Sequence, residues 1–163
     1  MTLEFEYLYT TELARLASRR YMRRAGRTGL VIVLVLILIA AIRILNGIDD
    51  ALTICLFAVP FAYAWLRYSY LRRGEHVAAR MRDPRVTITA DADTLTFRTT
   101  EQVTTRAWRA IEEVWQFADV WLLFPYGSRG GAPTPIPTSA LSTEAQAFIG
   151  ERLLAHGAKV VRG

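Results

Sequence analysis

The sequence predicts a membrane α+β protein, in which a two-helix transmembrane hairpin carries a small cytoplasmic antiparallel β domain closed by a C-terminal helix. Three observations predict it. Two uncharged apolar runs, Gly29 to Ile42 (GLVIVLVLILIAAI) and Ala51 to Leu66 (ALTICLFAVPFAYAWL), are separated only by Arg43-Ile44-Leu45-Asn46-Gly47-Ile48-Asp49-Asp50. Arginines crowd the outer ends of both runs. From Arg85 onward apolar residues recur at period two, and helical spacing returns only after Ser142. The predicted organisation is a strand and basic juxtamembrane helix (1–27), the hairpin (28–71, spans near 28–48 and 51–71), a linker (72–84) and the β-rich domain (85–163).

At the N-terminus, Leu3, Phe5, Tyr7 and Tyr9 alternate with Glu4 and Glu6, as in a short half-buried strand. Thr10 or Thr11 can cap the helix that follows, with Glu12 in its first turn. Leu13, Leu16, Ala17 and Tyr21 keep helical spacing, while Arg15, Arg19 and Arg23 form an i, i+4 stripe. This helix is amphipathic and basic, suited to a lipid surface.

A spanning helix needs about 20 mainly apolar residues. Each run reaches that length only if Arg43 and Arg67 snorkel toward headgroups. Pro60 interrupts the second run, and Tyr63, Trp65, Tyr68 and Tyr70 gather toward its end as an aromatic belt would. Cys55, the single cysteine, cannot form an internal disulfide and reads as a small hydrophobe. A cleaved signal peptide is disfavoured by the long charged lead containing Glu4, Glu6 and Glu12. The outer flanks carry Arg15, Arg19, Arg20, Arg23, Arg24 and Arg27 on one side and Arg67, Arg72, Arg73, Arg80, Arg82 and Arg85 on the other. The loop sets Arg43 against Asp49 and Asp50, so the positive-inside bias predicts a multi-pass protein with both termini in the cytoplasm.

The net charge of +5 admits nucleic acid or anionic lipid as partner. The arginines hug the ends of the apolar runs and do not interleave with aromatics on a separate face, so lipid is expected and nucleic acid is not. Arg19, Arg20, Arg23, Arg24, Arg27, Arg67, Arg72 and Arg73 are the expected lipid contacts, each worth about 1 kcal/mol near an anionic surface. Homo-oligomerisation through Ala40, Ala41, Ala58, Ala62 and Ala64 stays open.

In the β-rich part, Arg85–Ala90 and Thr94–Thr99 flank an Asp91-Ala92-Asp93 turn as a hairpin, and Val103–Arg106 follows a second turn. Val114–Ala118, Val120–Pro125 and Pro135–Pro137 read as further strands, with loops at Asp119 and over 127–134. Ser142 or Thr143 caps the last helix, whose apolar face is Phe148, Ile149, Leu153 and Leu154 and which ends near His156-Gly157. Most of the aromatic set should be core. Trp108, Trp115, Trp121 and Tyr126 are the candidates for an exposed partner surface.

Nothing in the chain composes a catalytic, cofactor or metal site. His76 and His156 lack ligand-spaced companions. No nucleophile elbow, phosphate loop or dinucleotide fingerprint occurs. Glu112 and Glu113 are adjacent and diverge, and Asp91 and Asp93 are explained by their turn. The reading is therefore non-enzymatic, with no cofactor.

The segment Thr87 to Phe97 (T-I-T-x-D-x-x-x-L-x-F), Trp108-x-x-Ile111-x-x-Val114, Ile136-Pro137 and Thr143-x-x-x-x-Phe148-x-x-x-x-Leu153 follow a strand-helix start and two apolar runs. In this order of parts the chain resembles the YcxB-like family of small bacterial membrane proteins, over nearly its whole length. The resemblance implies a pleckstrin-homology-like or GRAM-like module, placement in the bacterial inner (cytoplasmic) membrane, and no catalytic residues. The expected function is a non-enzymatic integral inner-membrane protein whose cytoplasmic module binds membrane lipids or an unknown protein partner. The alternative is an immunity protein that neutralises a membrane-acting secreted toxin.

Overall fold

The alternating segment Leu3–Leu8 forms β1, which pairs antiparallel with β2 (Arg85–Ala90), placing Phe5 opposite Ile88 and Tyr7 opposite Val86. β2 pairs with β3 (Thr94–Arg98), and β3 with β4 (Val103–Ala107), completing a four-stranded antiparallel sheet in the order β1-β2-β3-β4. This computed structural model describes residues 2–48, 51–127 and 133–163. Period two works as expected here: Val86, Ile88, Ala90, Leu95 and Phe97 point inward and are buried. The β2–β3 turn is held by Asp91, whose Oδ1 accepts from the backbone N–H groups of Asp93 (2.9 Å) and Thr94 (2.7 Å). These hydrogen bonds hold the Asp91 carboxyl below the usual range.

A second sheet has the order β7-β6-β5-β8, from β5 (Ile111–Gln116), β6 (Val120–Pro125), β7 (Thr134–Pro137) and β8 (Lys159–Arg162). β8 runs parallel to β5, so the sheet is mixed. Between the sheets, Trp108 lies in a short turn, fully buried, and its indole N–H donates to the Asp91 carbonyl at 3.0 Å. Val120, Trp121, Leu122 and Leu123 are consecutive and all buried, because sheet two is covered on both faces. Helix α3 (Thr143–Ala155) contributes Ala145, Ile149 and Leu153 to the same core. Its cap is Ser142, whose side chain accepts from the Ala145 N–H.

Helix α1 (Thr11–Leu45) starts at the Thr10 cap, whose hydroxyl accepts from the Leu13 N–H at 3.2 Å. Its first part buries Leu13, Ala14 and Ala17. It then bends by 57° between Thr11–Arg24 and Gly29–Leu45. Gly26 lies in the bend and Gly29 at its end, and Tyr63 of α2 (Ala51–Arg80) packs against it. The Tyr63 hydroxyl donates to the Gly26 carbonyl at 3.1 Å. A Cβ on Gly29 would lie 2.7 Å from the Tyr63 ring, so a side chain there would have to push the end of that ring aside. Beyond the bend, α1 and α2 pack along each other as a hairpin. At its tip Gly47 takes φ +72°, and Arg43 Nε donates to the buried Thr53 hydroxyl at 3.1 Å. Nearer the sheets, Gly74 lies beside Ala14 and Ser18, and Arg15 pairs with Glu75 at 3.0 Å.

Several expectations are corrected. The two-pass transmembrane hairpin is overturned: among the described residues no single helix is long and apolar enough to cross a membrane. One bent pair, Thr11–Arg24 with Gly29–Leu45, meets the length and composition only when joined, and the apolar stretch of α2 is the shorter Leu52–Leu66. At 1.5 Å per residue these straight apolar arms reach only about 25 and 22 Å, against roughly 30 Å of hydrocarbon. Multi-pass placement in an inner membrane with both termini cytoplasmic falls with it. The single small antiparallel domain closed by a final helix is replaced by an α+β fold with two four-stranded sheets, one of them mixed. The chain does not end on α3, because Gly157 (φ +78°) turns it back into β8. The expected 72–84 linker is helical as far as Arg80. Asp49, Asp50 and the 128–132 part of the expected loop lie outside the described residues.

Candidate functional site

Positions 20, 23 and 24 are spaced i, i+3 and i+4, which puts three arginines on one face of α1. That face meets the β5–β6 turn. Arg20 Nη2 lies 2.6 Å from Asp119 Oδ2, with Nε at 3.2 Å, and its guanidinium sits 5.5 Å from the Phe117 ring centre. Arg24 lies 5.0 Å over Trp115, whose other neighbours are Tyr21, stacked at 5.6 Å, and Phe124 at 4.6 Å. Sheet alternation and the Trp115–Leu122 register put Trp115 and Phe124 on the face that α1 covers. The result is a cleft of about 750 Å³ lined by Arg20, Arg23, Arg24, Phe117 and Gly163. Arg23 and Arg24 enter no ion pair among the described residues. Asp119 Oδ1 and Trp115 Nε1 are buried without a hydrogen-bond partner among them.

A second patch follows the helical repeat on α2, where Trp65, Tyr68, Ser69, Arg72, Arg73 and His76 line a shallow hollow of about 320 Å³. Arg72 lies 5.1 Å over Tyr68, and Trp65 is 69% exposed. Between the two basic patches and the hairpin tip, the helices present apolar side chains outward. Val31, Leu34, Leu38 and Ile42 of α1 are exposed, as are Ile54, Phe61 and Leu66 of α2.

The arginines expected from the sequence thus fall into two groups. Arg20, Arg23 and Arg24 share the cleft, and Arg72 and Arg73 share the α2 hollow. Arg19 is exposed beside the first group, and the side chains of Arg27 and Arg67 lie outside the described set. The aromatic partner surface is largely corrected. Trp108, Trp115 and Trp121 are buried, because both faces of sheet two need large apolar side chains to fill them; Tyr126 alone is exposed, at 72%. Phe117 and Asp119, which complete the cleft, carried no signal in the sequence beyond a strand end and a turn. Among the described residues no group of three His, Cys, Asp or Glu side chains could hold a metal ion. Glu113 sits 3.7 Å from Lys159, and His76 and His156 are exposed.

Fold and site together define an α+β protein with an apolar two-helix arm and a basic cleft at the base of that arm. No protein-family model, curated protein or solved structure matches the chain.

Proposed function

We propose that this chain is a non-enzymatic lipid-binding protein, whose apolar arm takes acyl chains as its cover and whose arginines contact anionic headgroups. One observation carries the reading: the outward side chains of the arm are leucine, isoleucine, valine and phenylalanine, bounded at its base by arginines and by Trp65 and Tyr68. These side chains are half to three-quarters exposed, so leaving them in water forfeits roughly 1 kcal/mol or more each, and together they call for an apolar cover. Lipid suits it better than a second copy. Indole and phenol rings beside guanidinium groups match a headgroup boundary, whereas self-association through this zone would bring like charges together. Asp91, Glu75 and Asp119 are engaged in a turn or in ion pairs, which favours binding over catalysis.

Flotation of the full chain with vesicles tests this. Neutral phosphatidylcholine vesicles should retain it, and added phosphatidylglycerol should strengthen binding by an increment that salt removes. A chain that stays free of both vesicle types and remains a detergent-free monomer overturns the reading.

A further inference from the structure

We infer that the cleft between α1 and the β5–β6 turn is a binding site for a phosphomonoester group. The inference deepens the lipid reading by naming a headgroup class, and it rests on that reading only for where the phosphate comes from.

Charge comes first. Of the three guanidinium groups lining the cleft, Arg20 is answered by Asp119, while Arg23 and Arg24 are in no ion pair among the described residues. Two unanswered positive charges match a phosphomonoester, which carries about −1.5 to −2 near pH 7. A diester with a single negative charge would leave one guanidinium uncompensated.

Geometry points the same way. Arg24 lies over Trp115 and Arg20 over Phe117, so aromatic faces hold both guanidinium planes. Stacking leaves the N–H edges of Arg24 free to form the fork that binds phosphate oxygens with two parallel hydrogen bonds, whereas Arg20 spends its Nε and one Nη on Asp119 and offers its remaining N–H groups. Arg20 is fixed further by Asp119, so it too is ordered before any ligand arrives. Preordering two of the three arginines lowers the entropy lost on binding. The cleft, at about 750 Å³, lies within the range of small-molecule sites. The α2 hollow has basic and aromatic residues but about 320 Å³ and no acidic anchor among its lining residues, so it suits general surface contact.

The test uses the full chain with two probes of the same chemistry. Glycerol 3-phosphate is the soluble arm, read by calorimetry. Phosphatidic acid in phosphatidylcholine vesicles is the lipid arm, compared with phosphatidylglycerol at matched surface charge. The expected result is saturable glycerol 3-phosphate binding and at least a roughly tenfold preference for phosphatidic acid. Arg23→Gln, which removes no described contact, should abolish most of the glycerol 3-phosphate signal and of the phosphatidic acid preference, while lowering phosphatidylglycerol binding only by the roughly fivefold that one lost surface charge accounts for. Arg24→Lys keeps the charge but loses the fork, and it should lower the preference more than it lowers total binding. Glycerol 3-phosphate binding without vesicle binding supports the cleft and overturns the lipid reading. Vesicle binding with no preference and no glycerol 3-phosphate signal overturns the cleft and leaves the lipid reading standing. An acidic peptide that saturates the protein where glycerol 3-phosphate does not also overturns the phosphomonoester assignment.

Discussion

Replacing Asp119 by asparagine separates what the Arg20–Asp119 pair does for folding from what it does for binding. The two side chains are each 33% exposed, and Arg20 reaches Asp119 Oδ2 at 2.6 Å. A pair this open to water is worth at most about 1 kcal/mol, and the amide oxygen of asparagine can still accept from Arg20. Stability should therefore fall by no more than about 1 kcal/mol. Binding should move the other way. Removing one negative charge leaves three unanswered guanidinium groups in the cleft where there were two. At roughly 1 kcal/mol per basic residue near an anionic surface, affinity for phosphatidylglycerol vesicles should rise about fivefold at low salt. In about 1 M salt, where the Debye length is about 3 Å, the gain should largely vanish. Vesicle titration at both salt levels, alongside urea unfolding, reads both quantities. Unchanged or weaker low-salt binding, or a gain that survives high salt, would refute the electrostatic reasoning.

Trp108→Ala should destabilise the β module by about 3–5 kcal/mol, since the ring is fully buried and its N–H holds the Asp91 carbonyl, while exposed Tyr126→Ala should stay within about 0.5 kcal/mol; urea unfolding compares them. Tyr63→Phe removes the bond to the Gly26 carbonyl and should cost about 0.5–1.5 kcal/mol, with faster amide exchange around the bend. Gly29→Val should be worse, because its Cβ meets the Tyr63 ring at 2.7 Å, and Tyr63→Ala should relieve much of that loss in the double variant. The Asp91 carboxyl titrates below its unfolded value. Its contribution is therefore present above the ordinary aspartate range near about 3.9 and is lost as pH falls through the lower folded value. Asp91→Asn should flatten that part of an acid unfolding curve, and an unaltered curve would show that the turn is not the source.

Much of the local structure was legible in the sequence. The alternation over Arg85–Ala90 and from Thr94, and the helix caps, act between residues a few positions apart; the strands form, and of the two cap candidates at each helix the structure uses Thr10 and Ser142. The basic stripe read from the sequence, Arg15, Arg19 and Arg23, shares only Arg23 with the cleft; Arg20 and Arg24 join it at i−3 and i+1, and Arg15 pairs with Glu75. The composition of the apolar arm was equally plain, but not its geometry. A hydropathy count sums residues without seeing that the helix bends by 57° where Gly29 and the Gly26 carbonyl meet Tyr63.

Tertiary structure decided the rest. β1 finds β2 across two long helices, and β8 pairs in parallel with a strand that precedes it by a helix and two other strands. Neither pairing is encoded in a local period; both follow from which faces can be buried together. Asp119 meets Arg20 from 99 positions away, and three of the four tryptophans are core because two sheets and a helix close on them. Local hydrogen bonding and side-chain spacing were enough to assign the elements, whereas the cleft exists only because long-range packing brought a turn against a basic helix face.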